Sequence, residues 1–199
     1  MHSESLEKYI KASSYIDCDE PTIVELAHQL RGDYTNDVDI AKTCFDYVRD
    51  HIKHSWDFKI DIITCKASDV LKHQTGYCYA KSHLLAALLR ANNIPAGLCY
   101  QRLSIAGNGA PYCLHGLNAI YLQNTGWYRA DPRGNKSGVN AQFTPPKEQL
   151  AFSTNDRYEE DIKSIWHEPL PTVVNALTKH TTCKAVYENL PDVEAEDSP

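Results

Sequence analysis

The sequence predicts an α+β fold, with helices in its N-terminal part and strands in its second half. Apolar residues recur at helical spacing over residues 23–52 and again over residues 78–91. Beyond Pro95 the apolar residues alternate with a period of two, which is typical of strands. This change of period along the chain favours separate helical and sheet regions over an all-helical or all-strand fold.

Two helices are predicted before residue 53. The first begins at Pro21, a favourable first-turn residue, and ends at Gly32. The second covers about residues 37–52, and residues 56–75 have weak periodicity and are expected to be irregular. The apolar faces of the two helices consist of Ile23, Leu26, Ala27 and Leu30 in the first and of Val38, Ala41, Phe45, Val48 and Ile52 in the second.

The most regular helix is predicted at residues 78–91, where Asn92, Asn93 and Pro95 end it. Strands follow at 98–103, 115–122 and 127–131, and the last two form a hairpin around residues 123–126. After Pro132 the chain is expected to be rich in loops, with short helices near 146–152, 172–177 and 182–189. The loops between Pro132 and Pro171 are expected to border any cleft that the sheet helps to form.

The length and composition predict one domain over residues 1–190. A chain of 199 residues with 42% hydrophobic residues can bury a core, and no stretch rich in Gly, Ser or Pro divides it. Residues 191–199 contain four acidic side chains and are expected to form a disordered tail.

The charge and hydropathy patterns exclude several classes of partner. The net charge is −6 and no basic stripe is present, so no nucleic acid partner is expected. The longest aliphatic run, Leu84 to Leu89, is far shorter than the ~20 residues that span a bilayer, so no membrane partner is expected. The N-terminus lacks the pattern of a secretory signal, and we therefore expect a cytoplasmic protein. The oligomeric state is left open.

The seven cysteines raise the question of function. They form no Cys-x-x-Cys pair, and an unexported chain keeps them as thiols, which in most proteins are small buried hydrophobic residues. Cys78 differs because it stands at the start of the most regular predicted helix, where unpaired N–H groups favour a thiolate. The same N–H groups can receive an oxyanion, and Gly76 permits a tight backbone before the thiol.

His115 and Asp131 are the predicted partners of this thiol. His115 stands at the head of one hairpin strand and Asp131 at the end of the next. If residues 123–125 form a three-residue loop, Asp131 opposes Leu117 and lies one diagonal step from His115 on the same face, within reach of a hydrogen bond. A loop with an even number of residues would separate the two side chains.

Three sequence blocks carry a family resemblance. They are Gly76-Tyr77-Cys78-Tyr79-Ala80-Lys81-Ser82 with the helix that follows, His115-Gly116-Leu117-Asn118-Ala119-Ile120, and Gly126-Trp127-Tyr128-Arg129-Ala130-Asp131-Pro132. In this order they resemble the transglutaminase-like superfamily over about residues 23–135. The resemblance implies a papain-like core, in which a helix bearing the nucleophile packs on an antiparallel sheet. It assigns the nucleophile to Cys78, the base to His115 and the orienting acid to Asp131.

The sequence departs from the family pattern after the histidine, where Gly116-Leu117-Asn118 replaces the frequent His-Ala-Trp arrangement. In papain-like enzymes an upstream side chain supplies a second oxyanion donor, and Gln74 and Trp56 are the candidates here. Tyr77 and Tyr79 flank the thiol and are candidates for lining the cleft.

The resemblance implies a thiol enzyme that attacks an amide or ester carbonyl of a peptide, protein or small amide through an acyl-enzyme. We expect hydrolysis, as in a protease or amidase, because the sequence lacks the extra β-domains of the large cross-linking members. Acyl transfer to an amine and a catalytically inactive binding module of the same fold are the alternatives. No cofactor and no metal are expected, since the histidines and cysteines do not complete the usual paired ligand patterns.

Overall fold

Helices and an antiparallel sheet pack against one long central helix. The structure, a computed structural model, describes residues 6–155 and 157–192. Helices α1 (Pro21–Arg31) and α2 (Asp37–His51) lie where the sequence predicts them. The Glu20 side chain accepts a hydrogen bond from the Thr22 amide at the start of α1, and Asn36 accepts one from the Asp39 amide at the start of α2.

The expectation that residues 56–75 are irregular is wrong in part. The chain forms strand β1 (Lys53–His54), helix α3 (Ser55–Phe58), helix α4 (Ala67–His73) and strand β2 (Thr75–Gly76). β1 and β2 pair in parallel. Helices of one or two turns show little periodicity, and a two-residue strand exists only through its pairing, so neither leaves a clear sequence pattern.

Helix α5 (Cys78–Ala91) is the central element, as the sequence predicts. Every residue from Cys78 to Arg90 is buried. The polar side chains among them find partners on neighbouring backbone: the Lys81 ammonium donates to the carbonyls of Arg49 and Ile52, and the Arg90 guanidinium donates to the Ala96 carbonyl at 2.9 and 3.1 Å. These bonds tie α5 to the end of α2 and to the start of the sheet.

The sheet is a curled antiparallel sheet of four strands in the order β5-β4-β3-β6. Its strands are β3 (Ala96–Ser104), β4 (Tyr112–Leu122), β5 (Gly126–Ala130) and β6 (Glu160–Trp166). The first three confirm the prediction, with β4 longer than expected. β6 was not predicted from the sequence. It is an edge strand whose pairing with β3 contains a register irregularity.

The hairpin between β4 and β5 has the predicted register. Leu122 pairs with Gly126 across a loop of residues 123–125, and Gly126 has the positive φ of 80° that this turn requires. The last pair is Asn118 with Ala130, so the next residue, Asp131, continues on the face that the sequence analysis assigns to it.

Residues 131–192 contain β6, two helices and long stretches without regular structure. The helix predicted near 146–152 is wrong, because this stretch begins in a turn and a bend and Gln149 then bridges Gln142. Helices α6 (Pro171–Lys179) and α7 (Cys183–Tyr187) lie at the two other predicted places. The predicted disordered tail does not include its first two residues: the Pro191 carbonyl accepts a hydrogen bond from Leu114, and Asp192 pairs with Arg102. Residues 193–199 lie outside the described residues.

Candidate active site

Cys78 is the first residue of α5. Tyr77 precedes it in an extended conformation and places no side-chain hydrogen bond on the helix start. The first-turn N–H groups beside the sulfur therefore remain available to a thiolate or an oxyanion. Cys78 is 7% exposed and its exposed part faces a cleft, which makes it reachable at the end of an otherwise buried helix.

Gly76 is required for close packing. A Cβ at this position would lie 3.0 Å from the Ala80 Cβ and 3.2 Å from the Thr64 Oγ1. Its φ is not positive, so the predicted need for glycine before the thiol holds for a different reason. The absent side chain lets β2 pass directly against the first turn of α5.

His115 and Asp131 meet at the edge of the sheet. The His115 Nε2 lies 2.7 Å from the Asp131 Oδ2, and both side chains are buried. With Nε2 engaged, Nδ1 is the ring nitrogen that remains for Cys78, which lines the same cleft as His115. The three side chains proposed from the sequence are thus brought together.

Asp131 is held firmly in place. Its Oδ1 accepts a hydrogen bond from the Arg133 amide at 3.1 Å, and its Oδ2 accepts a second one from the Ala151 amide at 3.1 Å. Burial alone would raise the pKa of this carboxyl, but His115 and the two amides lower it below its usual value. Asp131 is therefore a fixed anion behind the imidazole.

The imidazole of His115 is strongly basic. Burial opposes its charged form, but the Asp131 carboxylate and the Cys78 thiolate outweigh burial and raise the pKa of His115 to about 10. Phe152 packs edge-on against the ring, with centroids 5.0 Å apart, and shields it from water. A positioned imidazole beside a thiol is the arrangement that nucleophilic catalysis by cysteine requires.

A cleft of about 770 Å³ opens over Cys78. Tyr77 and Tyr79 line it, as expected from their places beside the thiol. Tyr79 also explains the departure at Gly116: a Cβ there would lie 2.9 Å from the Tyr79 Cδ1 and 3.1 Å from the Tyr79 Cα. The residue after His115 must be small because the start of α5 packs directly on β4.

The loops after Pro132 border this cleft, as expected. Their lining residues include Arg133, Lys136, Gly138, Ala151, Phe152, Ser153, Asn155 and Glu159. Whether they select the substrate stays a prediction.

The two candidate oxyanion donors are placed differently. Trp56 lines the cleft, where its indole stacks on the Tyr187 ring with centroids 3.7 Å apart. Gln74 is exposed and does not line the cleft, and its amide donates to the Leu71 carbonyl at 2.5 Å. The placement of Gln74 gives no support to a role as a donor.

A group of three charged side chains at the wall of the cleft has no counterpart among the sequence predictions. Arg133 and Lys136 both bind Asp57, at 2.8 and 2.7 Å. Burial would raise the pKa of Asp57, but the hydrogen bonds from these two cations lower it to about 2. Only the tertiary structure joins α3 to the loop after β5, so no local pattern indicates this group.

His54 is a second histidine on the wall of the cleft. Its Nδ1 lies 3.6 Å from the Asp57 Oδ2, and none of the described residues hydrogen-bonds this nitrogen. Burial first, and then the positive charge of Arg133, lower the pKa of His54 well below its usual value. His54 is therefore neutral, in contrast to His115.

The family follows from comparison with known sequences. Residues 24–132 match the model of the transglutaminase-like superfamily. The chain belongs to this superfamily. The matched segment runs from α1 to the residue after Asp131, so it contains Cys78, His115 and Asp131. No curated protein matches the chain.

Two solved structures share the fold of this chain. A candidate cysteine protease from Cytophaga hutchinsonii is 20% identical, with a TM-score of 0.53 over 67% of this chain and 43% of that chain. The periplasmic domain of TgpA from Pseudomonas aeruginosa is 19% identical, with a TM-score of 0.50 over 66% of this chain and 48% of that chain. The chain spans less than half the length of each. In residues 6–155 and 157–192, no helix is long and apolar enough to cross a membrane.

Proposed function

We propose that this transglutaminase-like protein is a cysteine hydrolase that cleaves a peptide or amide bond through an acyl-enzyme on Cys78. The observation that supports the proposal most is the buried His115–Asp131 hydrogen bond of 2.7 Å beside a thiol at an uncapped helix start. A buried core thiol needs neither an accessible cleft nor a charged imidazole as its neighbour.

The first half of the reaction forms the acyl-enzyme. The Cys78 thiolate attacks the carbonyl carbon, and the backbone N–H of Cys78 stabilises the oxyanion. The His115 Nδ1 then gives its proton to the leaving nitrogen as the C–N bond breaks. Asp131 keeps the ring oriented through Nε2 and stabilises the imidazolium.

The second half releases the acyl group. His115 is neutral after it has lost its proton, and it takes a proton from the water that attacks the thioester carbon. The carboxylic acid leaves, and Cys78 returns as a thiolate beside a charged His115. The polar side chains of the cleft wall, among them Arg133, Lys136 and Glu159, keep water close to the thioester and favour hydrolysis over transfer.

Acyl transfer to an amine is the second candidate activity, since a deprotonated amine can attack the same thioester. The cleft of about 770 Å³ has room for such an acceptor. A catalytically inactive binding module with this fold remains the alternative outside enzymes. The cytoplasmic location is likewise still a prediction.

The thiol itself gives the sharpest test. We expect iodoacetamide to modify Cys78 far faster than the other six cysteines near about pH 6, because only a thiolate reacts and burial raises the thiol pKa of five of the others, Cys18, Cys44, Cys65, Cys99 and Cys113. Quantitative mass spectrometry of the seven cysteines over a pH series measures this. Cys113→Ala is the matched control for the loss of a thiol from the cleft. Cys113 lines the same cleft, and burial raises the pKa of its thiol to about 12.

Equal modification rates for all seven cysteines would overturn the proposed nucleophile. A screen of acyl-peptide and glutamine-amide substrates, with and without an added amine, then separates the activities. Release of acid in the presence of the amine supports hydrolysis, and incorporation of the amine supports transfer. Full turnover by Cys78→Ala would exclude both.

A further inference from the structure

Near the candidate active site, a C-terminal segment of the chain is hydrogen-bonded to the outer edge of β4. β5 pairs with β4 only as far as Asn118, opposite Ala130, and then leaves the sheet. Beyond that point the Leu114 amide donates to the Pro191 carbonyl at 2.7 Å, and the Leu114 carbonyl accepts from the Tyr79 hydroxyl. In an antiparallel strand the N–H and C=O of one residue point to the same side. Both groups of Leu114 bond to residues outside β3, so they lie on the edge of β4 that faces away from β3.

The segment on this edge is the C-terminal strap, which we define as residues 183–192. Its first part is anchored: the Tyr77 hydroxyl donates to the Cys183 carbonyl at 2.6 Å, and the Cys183 amide donates to the Asp61 carboxylate at 2.9 Å. Tyr187 stacks on Trp56 with parallel rings. The strap therefore starts from a fixed point inside the protein.

The last part of the strap is bound to β4 through Leu114 and to β3 through Arg102. Besides the bond from Leu114 to Pro191, Arg102 donates to the two carboxylate oxygens of Asp192 at 2.8 and 2.6 Å. The side chains of this ion pair are 18% and 31% exposed. Leu190 also packs against the core and Pro191 is buried, so a competing peptide must replace these apolar contacts as well as the hydrogen bond from Leu114 and the partly exposed ion pair.

The position of the strap relates it to the site. Tyr187 and Leu190 line the same cleft as Cys78, and Leu114 is the neighbour of His115 in β4. A peptide that pairs with the edge at Leu114 thus runs past the thiol with its backbone extended. Addition of a strand to a free sheet edge is a common mode of peptide recognition.

We propose that the β4 edge at Leu114 is a binding site for an extended peptide with an acidic side chain, and that residues 190–192 occupy this site as an internal substitute. The peptide's carbonyl replaces that of Pro191, and its carboxylate replaces that of Asp192. That this peptide is the acyl donor rests on the function proposed above, whereas the binding site does not.

Arg102 supplies the preference for an acidic side chain. Its Nη1 donates to the Tyr158 carbonyl at 3.1 Å, and its guanidinium lies over the Tyr112 ring, 4.3 Å from the centroid. These contacts hold the guanidinium in place when Asp192 leaves. The nearby Glu159 carboxylate accepts hydrogen bonds from the amides of Ser104 and Asn155, at 2.9 and 2.8 Å. Its charge is therefore partly satisfied by the loops that hold it.

The test measures binding without turnover. A fluorescein-labelled peptide with the sequence of residues 188–193 is titrated by anisotropy against the full chain carrying Cys78→Ala, with or without Asp192→Ala. We expect Asp192→Ala to tighten binding roughly fivefold, because it weakens the internal competitor and frees Arg102. Adding Arg102→Ala removes that gain, and a peptide with Asn in place of its Asp binds less tightly.

A matched control is Glu148→Ala, which breaks another exposed ion pair, between Glu148 and Arg129 at 2.8 Å, and leaves peptide binding unchanged. Hydrogen exchange of the Leu114 amide gives an independent readout. We expect exchange of this amide to be slow in the unmodified chain, faster in Asp192→Ala, and slow again when the peptide is added.

The proposal is overturned if Asp192→Ala changes neither peptide affinity nor Leu114 exchange, or if the Asp and Asn peptides bind equally. Because the Cys78→Ala chain has no thiol there, these results do not depend on the proposed chemistry. Peptide binding together with an unreactive Cys78 would refute the hydrolase and leave the binding site standing. A reactive Cys78 without peptide binding would do the opposite.

Discussion

Two buried histidines of this protein show what separates a structural group from a chemical one. His83 lies within α5 and His115 at the edge of the sheet, and both are buried. Burial lowers the pKa of His83 to about 4, since its Nδ1 meets only the Cys65 carbonyl and none of the described residues hydrogen-bonds its Nε2. Burial also opposes the charge on His115, yet Asp131 and Cys78 raise its pKa to about 10. A fixed carboxylate, rather than burial, decides which histidine carries a proton at neutral pH.

The thiols repeat the contrast. Burial raises the pKa of Cys44, Cys65 and Cys99 to about 12, so these three stay protonated at neutral pH. Cys78 is equally enclosed by its neighbours but sits at a helix start with a charged imidazole beside it. The surroundings of the thiol, rather than its depth in the protein, distinguish Cys78 from these three cysteines.

Asp131→Asn tests the contrast most severely. An amide carbonyl can still accept the hydrogen bond from Nε2 but carries no negative charge to stabilise the imidazolium, so we expect the pKa of His115 to fall and turnover to drop by up to about 10⁴-fold. Steady-state kinetics and the pH profile of Cys78 alkylation measure the two effects. Asp17→Asn is the control, because Asp17 is another buried carboxylate, bound to the Ser68 amide at 3.1 Å and remote from the cleft. Equal turnover in both variants would contradict the comparison.

The other histidine predicts a stability effect. His83 is neutral in the folded protein down to about pH 4, whereas in the unfolded chain it takes up a proton below its ordinary pKa of 6.5. Its contribution is therefore complete above pH 6.5 and declines as the pH falls towards about 4, by about 3 kcal/mol in the free energy of unfolding.

Urea unfolding at several pH values measures this loss, with His83→Asn as the reference. The variant lacks the titrating group, so its free energy of unfolding should fall less steeply over the same range. Parallel curves for the two proteins would show that His83 is not held neutral by the core.

Gly116→Ala probes the contact that positions His115. The added Cβ would lie 3.1 Å from the Tyr79 Cα, so backbone must shift. We expect the free energy of unfolding to fall by about 2 kcal/mol, as for other overpacked sites, together with reduced Cys78 alkylation. Thermal unfolding and mass spectrometry measure these changes. A wild-type melting temperature and alkylation rate would mean that β4 and α5 can separate at no cost.

The smallest effect is expected at Gln74. Its amide is engaged with the Leu71 carbonyl outside the cleft, so Gln74→Ala should change turnover by less than about twofold. Loss of one oxyanion donor costs about 100-fold or more, which makes the two outcomes easy to separate in a kinetic assay. A loss of that size would mean that the Gln74 side chain enters the cleft during the reaction and contacts the oxyanion.

The strongest local patterns were sufficient for the main elements. The apolar faces of α1, α2 and α5 and the period of two in β3 and β4 predicted these elements, and the structure confirms the elements. Burial does not alternate in β3 and β4, because most of their consecutive residues are buried. The hairpin register also followed from the sequence, because a side-chain period of two lets a single loop length decide the face on which Asp131 lies.

What the sequence by itself determined is therefore the order of the long elements, the family blocks and the meeting of Cys78, His115 and Asp131. The tertiary structure alone decided the rest. It brought together residues that lie far apart in the chain. The examples are the pairing of β1 with β2, the pairing of β6 with β3, the ion pair between Asp57 and Arg133, and the hydrogen bond between Leu114 and Pro191. Such contacts leave no local period, because each depends on the partner that folding brings to it.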